Sequence, residues 1–600
     1  MSLQPLKTKT LTALLERCIT AYPEHPALGY AGEEATSYAR LGEKVRLVAS
    51  YLRDNGVGPG DRVAILSENS PNWGVAYFGI TSLKAIAVPI LNDFHPSEIH
   101  HILRHSGASA LFVSERLYHK VEEFNLESLN AVILADNLSV ISPDWSKDRL
   151  RRLYAEGSRE MKRIKHMALQ MAGLSSMDIA EDDPASIIYT SGTTGHSKGV
   201  MLSHGNIVSN AIATEKIVPI GKNDRLLSIL PLPHVYECTL GLVLPMMIGA
   251  SVSYVSKPPT AAVLLPALKQ VRPTIMLSVP LIIEKMFKAR ILPEIRRKKV
   301  LRAAYKVPAV RKLIHRKAGK KLMETFGGCL TTFCIGGASL APDVEVFLKE
   351  AGFPYAIGYG LTETSPLAAG TGASTVRLHA TGKPLPGVEI RIDHEGKADA
   401  DEEESERQER AAGGKKRKSE KKSGKTKKGP LDDGEILIRG HGVMLGYFND
   451  PELTAETVDK DGWLRTGDLG AFDKDGYLYI RGRLKNMILG PSGENIYPES
   501  IESVLHRSDY VMESLVFKQD GRLVARVYLN YEKLDEEFAA MGCSEAEVRD
   551  EIRKLLVTLR DEVNASVASF ARLAEVIEQS EPFEKTPTQK IKRYLYVNKG

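Results

Sequence analysis

The chain has 600 residues, of which 43% are hydrophobic and 26% charged, and a formal net charge of +5. This length exceeds what one hydrophobic core usually organises, so we expect at least two domains with the composition of an ordinary globular protein. So small a net charge gives no reason to expect a nucleic-acid partner, and the five cysteines lack metal-ligand spacing, which favours idle thiols in a reducing compartment.

Helical periods alternate with short apolar strands from residue 39 onward. Charges interrupt residues 1–18 before an apolar segment can form, so they do not predict a secretory signal. An apolar residue at every third or fourth position predicts a helix over residues 38–56. Apolar runs predict buried strands over residues 62–67, 88–91, 110–114 and 131–135. This alternation predicts a layered α/β domain with largely parallel sheets.

The longest uncharged run, residues 238–256, is long enough to raise the question of a membrane span. Pro245, Gly249 and three serines interrupt it, whereas a spanning helix needs sustained apolarity. We therefore expect a buried helix followed by a strand.

The stretch "YTSGTTGHSKGV", residues 189–200, is rich in glycine and hydroxyl side chains. It is not a Walker loop, because Lys198 follows Ser197 and precedes Gly199, and because a second strand follows, with a helix only near Asn206. The pattern predicts a strand–loop–strand hairpin. Glycines let backbone N–H groups approach an anion and the hydroxyls add donors, so a phosphate site is favoured over a mobile polar turn.

Two segments differ in composition from the rest of the chain. Residues 296–321 carry twelve Lys/Arg and no acid, interleaved with apolar residues, which fits either a helix on an anionic bilayer or a solvated basic face. Residues 395–433 are low in complexity, acid-rich and then lysine-rich, and we expect them to be disordered. The flanking runs "GVEIRI" and "GEILIRG" alternate like the two strands of a hairpin, which places the insertion at a loop tip.

Seven motifs in register resemble those of the acyl-adenylate-forming superfamily, which includes acyl-CoA synthetases, peptide adenylation domains and luciferases. They are "YTSGTTGHSKGVMLSH" (189–204), "PLPHVYE" (231–237), "GGASLAP" (336–342), "GYGLTETSP" (358–366), "GWLRTGD" (462–468), "YIRGRLKNMI" (479–488) and "PTQKIKR" (587–593). The resemblance covers the chain from about residue 10 to its C-terminus.

The resemblance implies that a carboxylate attacks the α-phosphate of ATP to give acyl-AMP, after which the CoA thiol displaces AMP. Two unit charges about 4 Å apart repel by roughly 4 kcal/mol at an effective dielectric near 20, so cations and oriented donors must offset this repulsion. The implied phosphate contacts are Thr190, Ser191, Gly192, Thr193, Thr194, Gly195 and Lys198, with Glu363 and Thr193 as Mg²⁺ ligands. The implied nucleotide contacts are Gly337, Ala338, Gly358, Tyr359, Gly360, Thr362, Asp468 and Arg483.

Lys590 lies ten residues from the end of the sequence, where a lysine is ordinarily a solvated tail charge. The resemblance implies instead that it contacts both the substrate carboxylate and the α-phosphate. Lys592 is the alternative, and only the resemblance separates the two lysines. Together with Thr193, Glu363 and His234, Lys590 forms the predicted catalytic set.

The resemblance also implies two domains. A large N-terminal domain, residues 1–484, would consist of layered α/β subdomains with a β-rich subdomain, and a small mobile C-terminal α+β domain would span residues 485–600. The domains would rotate about Lys485 between the two half-reactions, while Gly490 and Gly493 would line the path of the CoA pantetheine. Asn486 stands where the family usually has aspartate, so the contacts of the hinge stay open.

The motifs "PLPHVYE" and "GYGLTETSP" look most like those of long-chain fatty acyl-CoA synthetases, with His234 at the entrance of the acyl pocket. Residues 239–250 would line the acyl tunnel or simply pack in the core, since both have the same composition. A fatty acyl-AMP ligase that loads a carrier protein and a non-catalytic acyl or nucleotide sensor stay open as alternatives. We expect a cytoplasmic protein, free or peripheral on the inner face of the membrane.

Overall fold

A computed structural model describes residues 5–124, 129–141, 177–190, 197–293, 305, 307–394, 433–490, 494–541, 545–586 and 590–597. Helices and strands alternate through most of this chain, and the α/β class predicted from the sequence is confirmed. The described cysteines, Cys18, Cys238, Cys329 and Cys334, are free thiols.

The strands of the described residues are short and are numbered here in chain order. They are β1 Pro26–Tyr30, β2 Thr36–Ser37, β3 Arg62–Leu66, β4 Ile86–Pro89, β5 Ala108–Val113, β6 Ala131–Leu134, β7 Ser139–Ile141, β8 Pro184–Thr190, β9 Lys198–Ser203, β10 Arg225–Ser228, β11 Ser251–Tyr254, β12 Ile275–Ser278, β13 Thr332–Ile335, β14 Tyr355–Gly360, β15 Leu367–Gly370, β16 Lys383–Pro384, β17 Val388–Asp393, β18 Gly434–Gly440, β19 Gly446–Tyr447, β20 Leu464–Phe472, β21 Leu478–Arg483, β22 Ile488–Leu489, β23 Asn495–Ile496, β24 Val511–Gln519, β25 Arg522–Leu529 and β26 Glu575–Gln579.

The α-helices of the described residues are α1 Leu11–Ala21, α2 Tyr38–Asp54, α3 Pro71–Thr81, α4 Pro96–Ser106, α5 His204–Glu215, α6 Leu244–Ile248, α7 Ala261–Val271, α8 Pro280–Met286, α9 Pro308–Thr325, α10 Pro342–Ala351, α11 Pro451–Thr457, α12 Pro498–Leu505, α13 Tyr531–Met541, α14 Glu545–Ser566 and α15 Tyr594–Val597. Shorter 3₁₀ turns cover Glu115–Lys120, Thr362–Thr364, Leu484–Asn486 and Ser569–Ala571, and π-helical turns cover Glu237–Val243 and Phe287–Ile291.

Two large sheets with parallel centres organise the N-terminal part of the chain. The first has nine strands in the order β16-β15-β14-β13-β12-β10-β11-β1-β2, and the second has eight in the order β19-β9-β8-β4-β3-β5-β6-β7. Their central pairs are parallel and their edge pairs antiparallel, which confirms the largely parallel arrangement. The largest buried apolar cluster takes residues from both sheets and from helices α1, α2 and α3.

Most predicted elements appear within a few residues of their expected bounds. Helix α2 buries the predicted apolar face and is capped at its N-terminus by Ser37, whose side chain accepts from the N–H of Arg40. Strand β4 covers 86–89 rather than 88–91. Its ladder with β3 ends at the pair Ile65–Pro89, and the N–H of Ile90 donates to the carbonyl of Ile65 at 2.9 Å.

Residues 238–250 of the uncharged run 238–256 are buried. The run forms most of a π-helical turn, helix α6 and strand β11, as the interruptions by Pro245 and Gly249 predicted. Among the described residues there is no helix whose length and apolarity suit it to cross a membrane.

The four-stranded sheet β17-β18-β20-β21 is antiparallel throughout. Strands β17 and β18 pair along their length from Val388 opposite Gly440 to Asp393 opposite Glu435, which confirms the predicted hairpin. The charged insertion 395–432 connects these strands and lies outside the described residues, as does most of 296–306.

The residues after 484 carry their own apolar core. It is formed by residues of the pair β22-β23, the sheet β24-β25-β26 and helices α12, α13 and α14, from Ile488 to Val576. This core accords with a boundary near Lys485, which stays a prediction.

Glu237 is a carboxyl group buried in the main core, 1% exposed, at the start of a π-helical turn. One of its oxygens, Oε2, has no hydrogen-bond partner among the described residues. Burial raises the pKa of Glu237 to about 8, against a smaller opposing effect of a hydrogen bond with Ser228. The native state therefore holds this group neutral at pH values where the unfolded chain ionises it.

We expect Glu237→Gln to remove a pH-dependent loss of stability. Because the folded pKa lies above the ordinary value of 4.5, the unfolded state binds fewer protons between pH 4.5 and about 8, and stability falls as pH rises through this window. The penalty reaches a few kcal/mol at most, since one pKa unit corresponds to about 1.4 kcal/mol.

Urea unfolding midpoints of the wild type and the variant, measured at pH 5 and pH 8, check this prediction. The urea midpoint of the variant, relative to that of the wild type, should be higher at pH 8 than at pH 5. A difference between the two urea midpoints that is the same at both pH values would contradict a neutral Glu237 in the native state.

Candidate active site

A single cleft collects most of the residues that the sequence singled out. Its floor lies at the carboxyl ends of the parallel strands β10, β12, β13 and β14, where ligands of α/β sheets commonly bind. One wall comes from the hairpin β8–β9 and another from residues after 484, so both predicted domains line the cleft. The predicted residues along it are Thr190, Lys198, His234, Gly337, Ala338, Gly358, Tyr359, Gly360, Thr362, Glu363, Asp468, Arg483, Lys485 and Lys590.

Asp468 lies at the centre of a hydrogen-bonded network on one side of the cleft. The pairing of β20 with β21 places it opposite Arg483, whose Nε lies 2.9 Å from its Oδ1. The hydroxyl of Tyr359, on β14, donates to its Oδ2 at 2.9 Å. Burial raises the pKa of Asp468, while Arg483 and Tyr359 oppose that shift. A buried carboxylate with these partners keeps lone pairs for further donors, such as the hydroxyls of a sugar.

Glycines shape the cleft floor where no side chain fits. A Cβ at Gly360 would lie 1.8 Å from the carbonyl oxygen of Pro366, so only glycine allows the backbone to pass here. Gly337, just after β13, has a φ of +85°, which an L side chain rarely adopts. Gly337 and Tyr359 both line the cleft.

Glu363 lies in a 3₁₀ turn after β14 and is held from two sides. The hydroxyl of Tyr447 donates to its Oε1 at 2.9 Å, and the N–H of Met444 donates to its carbonyl oxygen at 2.9 Å. The Nζ of Lys198 lies 5.5 Å from the centre of the Tyr447 ring. Tyr447 thus contacts both an acidic and a basic residue of the predicted phosphate site.

The phosphate loop itself, with Ser191, Gly192, Thr193, Thr194 and Gly195, lies outside the described residues. Its two ends are described: β8 and β9 pair antiparallel, with Thr190 opposite Lys198, so the strand–loop–strand reading is confirmed. Both ends line the cleft.

The donor set fits a magnesium ion that arrives with a nucleotide. No cluster of three His, Cys, Asp or Glu suited to a metal occurs in the part of the chain that the structure describes. Mg²⁺ commonly binds through one or two carboxylates together with substrate phosphates and water, so a single carboxylate such as Glu363 suffices.

Lys590 projects into the cleft from a turn near the C-terminus. Its N–H donates to Oγ1 of Thr586 at 3.2 Å, and the N–H of Thr586 donates to its carbonyl oxygen at 2.7 Å. The ammonium group is accessible within the cleft, yet the surrounding walls desolvate it and lower its pKa, as does the charge of Arg483. Asp468 and Glu363 act in the opposite direction. The structure therefore brings these three predicted residues together.

Lys592 has a different partner. Its Nζ lies 3.7 Å from Oε2 of Glu584, and its N–H donates to the carbonyl of the same residue. The surroundings of the two lysines differ: Lys590 acts electrostatically on Asp468 and Glu363, whereas Lys592 pairs within its own segment.

His234 follows β10 at the apolar end of the cleft. Burial lowers its pKa to about 4, and the positive charge of Lys590 adds to this shift. At neutral pH the imidazole is therefore uncharged. It lies close enough to Lys590 for the ammonium charge to disfavour protonation of the imidazole.

The predicted hinge forms a 3₁₀ turn, Leu484–Asn486, in which Lys485 is exposed. Asn486 has a definite partner: its Nδ2 donates to Oε1 of Glu499, on α12, at 2.6 Å. An aspartate at this position would instead set two carboxylates against each other. Gly490 lies in the small hairpin that follows and donates to the carbonyl of Glu494 at 2.8 Å, whereas Gly493 is outside the described residues.

Tyr447 is a residue of the site whose contact with Glu363 the sequence did not predict. It reaches Glu363, 84 positions away, because β19 adds to the edge of the eight-stranded sheet beside β9. The only local signal is the pair Gly446–Tyr447, in which Gly446 has a φ of +143°. No period or spacing in the sequence connects that pair with the phosphate loop.

Comparison with known proteins gives the class of the chain. A family model described as AMP-binding enzyme matches residues 15–448. The chain is 26% identical to the peroxisomal long chain acyl-CoA synthetase 6 of Arabidopsis thaliana, over 96% of this chain and 86% of that protein. It is 29% identical to the long-chain-fatty-acid–CoA ligase FadD15 of Mycobacterium bovis, over 80% and 74%.

Solved structures share the fold. The anthranilate CoA ligase AuaEII, bound to anthranoyl-AMP, superimposes with a TM-score of 0.72 at 21% identity, over 99% of this chain and 97% of that one. A benzoate CoA ligase of Burkholderia xenovorans gives 0.70 at 22% identity, over 98% and 99%. The predicted architecture of a layered N-terminal part and a small C-terminal part is confirmed. Because the family model spans more than half of the 600 residues, the chain belongs to the family of AMP-binding enzymes.

Proposed function

We propose that the acid activated by this AMP-forming acid–CoA ligase is a long-chain fatty acid. ATP, Mg²⁺ and CoA complete the reaction. The observation that carries the proposal is that Lys590, Glu363 and Asp468 line one cleft together with aliphatic side chains. These side chains include Leu230, Val235, Leu240, Val279, Ile335 and Ile357. The names of the long-chain ligases among the relatives support the same substrate class.

The nucleotide would lie along the cleft floor. Tyr359 would lie against the adenine, with Gly337 and Ala338 on the opposite side and Gly358 and Gly360 below. Asp468, already held by Arg483 and Tyr359, would accept hydrogen bonds from the ribose hydroxyls. These two contacts orient the Asp468 carboxylate toward such donors.

The phosphates would extend toward the hairpin β8–β9. Thr190, Lys198 and the loop residues Ser191, Gly192, Thr193, Thr194 and Gly195 would hold the β- and γ-phosphates, and Thr362 the α-phosphate. Glu363 and Thr193 would hold Mg²⁺, which neutralises phosphate charge when bound. Tyr447 would fix the orientation of the Glu363 carboxylate.

Attack of one anion on another is the barrier that Lys590 lowers. Its ammonium group would contact both the incoming carboxylate and the α-phosphate, so their mutual repulsion falls as they approach. His234 is uncharged at neutral pH because burial holds its pKa at about 4. A neutral imidazole can border the apolar pocket entrance without adding to the positive charge of Lys590.

The second half-reaction requires a different arrangement. Lys590 and Glu363 line the same cleft together with other residues after 484, which supports the proposal that this arrangement serves adenylation. We assign residues 1–484 and 485–600 to the two domains, with Lys485 as the pivot between them. Rotation would withdraw Lys590 and bring Gly490 and Gly493 to the path of the CoA pantetheine.

A substrate series tests the function. Pyrophosphate exchange into ATP should be fastest with saturated acids of long chain and weak with benzoate or short acids, and added CoA should give the matching thioester. Exchange limited to aromatic or short acids would overturn the long-chain proposal. Exchange without thioester formation would favour the fatty acyl-AMP ligase that loads a carrier protein, and binding without exchange would favour a sensor.

We expect Lys590→Ala to lower the adenylation rate by about two to three orders of magnitude, which is the usual effect of removing one charged or polar group that stabilises developing charge. Thioester formation from supplied acyl-AMP should stay close to the wild-type rate, because it lacks the anionic attack on phosphate. Lys592→Ala is the matched control and should keep both rates. Equal losses in the two half-reactions of Lys590→Ala would contradict the assigned role.

We expect Tyr447→Phe to raise the Mg²⁺ concentration for half-maximal adenylation three- to tenfold, because the lost hydrogen bond to Glu363 is worth about 1 kcal/mol. Magnesium titrations of pyrophosphate exchange measure this shift. Tyr531→Phe is the control. Its hydroxyl donates to Glu578 at 2.6 Å, and neither of these residues lines the cleft. An unchanged magnesium requirement in Tyr447→Phe would remove this tyrosine from the metal site.

A further inference from the structure

Helix α9 presents an exposed basic face that no described part of the chain covers. This basic face consists of Lys312, Leu313, Arg316, Lys317 and Lys320, all exposed. The opposite side of the helix is buried at His315, Gly319 and Leu322. The helix is thus fixed by one side and free on the other.

The charges of the basic face are uncompensated. Within the described residues, Lys312, Arg316, Lys317 and Lys320 have no ion-pair partner. Arg311, which points inward, is by contrast paired with Glu350 at 2.6 Å. Four cations therefore face outward over about two turns of helix, or about 12 Å.

An apolar side chain lies among these cations. Leu313 is 68% exposed, and Val307, just before the helix, is 50% exposed. A single exposed leucine is ordinary on a protein surface. A leucine within a row of lysines and arginines is the pattern of a helix that rests on an anionic bilayer, with its cations at the headgroups and its apolar side chain between them.

The buried side of α9 packs toward a segment that lines the substrate cleft. Phe347, on α10, contacts Phe287 with ring centroids 4.9 Å apart and His315 of α9 at 5.1 Å. Phe287 begins the π-helical turn after α8, and this segment lines the cleft at Leu281, Lys285 and Lys288. Two ring contacts therefore connect α9 with this segment, and the basic face lies on the other side of the helix.

We propose that the basic face of α9 docks this protein on an anionic lipid bilayer. A bilayer supplies an extended plane of negative charge that complements four cations along one helix, and each such cation near the surface contributes about fivefold to binding. Nucleic acid is a poorer match, because the basic face carries no aromatic side chain on which a base could stack. Docking would bring the protein to a lipid phase, which is where the long-chain acid of the proposed function partitions.

Vesicle sedimentation with the full chain tests the proposal. Neutral phosphatidylcholine vesicles are compared with vesicles that also contain phosphatidylglycerol, at low and at high salt. The wild type should bind only the anionic vesicles, and high salt should release it because the interaction is largely screened. Equal binding to both kinds of vesicle, or binding to neither, would overturn the proposal. Retention on heparin without vesicle binding would do so too, because the face would then fit another polyanion.

Two variants with the same change in net charge locate the surface. In the first, Lys312, Arg316, Lys317 and Lys320 are replaced by Gln, and binding to anionic vesicles should fall at least about tenfold. In the second, the exposed Lys257, Lys269, Lys460 and Lys474 are replaced by Gln, and binding should change less than about twofold. Equal losses in both variants would mean that net charge alone attracts the protein, which would overturn the proposal.

Leu313→Ser tests insertion of the leucine side chain into the bilayer separately from the electrostatic attraction of the cations. It keeps every charge of the basic face and should still weaken binding several-fold. An unchanged affinity would contradict the part of the proposal that places Leu313 in the bilayer. All these measurements omit ATP, CoA and acid, so they stand even if the long-chain substrate proves wrong. Pyrophosphate exchange with a water-soluble acid should be unaffected in the variants, which also verifies that they fold.

Discussion

The buried carboxylate of Asp468 is the constraint around which the cleft is arranged. A charge that is 5% exposed needs compensation, because moving an ion out of water costs several kcal/mol. Its partners come from different parts of the fold: Tyr359 from the nine-stranded sheet, Arg483 from the four-stranded sheet, and Lys590 from the C-terminal segment. Meeting the electrostatic need of one residue therefore links the four-stranded sheet directly to the nine-stranded sheet, while the charge of Lys590 acts on it from the C-terminal segment.

Hydrogen bonds also join residues after 484 to the rest of the chain. Lys288 donates to the carbonyl of His506, and the hydroxyl of Tyr497 donates to Asp433 at 3.4 Å. A hydrogen bond of this kind contributes about 1 kcal/mol to stability. The proposed rotation about Lys485 would have to break both of these contacts, whereas the bond between Asn486 and Glu499 lies within the residues after 484 and would persist.

Sequence patterns predicted those features that depend on neighbouring residues. The helix at Tyr38–Asp54, the strand–loop–strand at Thr190–Lys198 and the hairpin flanking residue 395 all follow from local periodicity and spacing. Features that depend on distant pairing were not predictable in this way. Tyr447 reaches Glu363 only because β19 joins the edge of β9, and this pairing leaves no period in the sequence.

Chemistry alone also could not separate Lys590 from Lys592, because both are lysines in the same short segment. The three-dimensional structure distinguishes the two lysines by their ion-pair partners. Glu584, six residues before Lys590, pairs with Lys592 and leaves Lys590 as the lysine that acts on the cleft acids. The neighbouring Arg593 is bound to Glu502 at 2.6 Å, which holds this segment against α12. The family resemblance favoured Lys590 without this information. The structure adds a physical difference, because Glu584 pairs with Lys592 and Glu502 with Arg593.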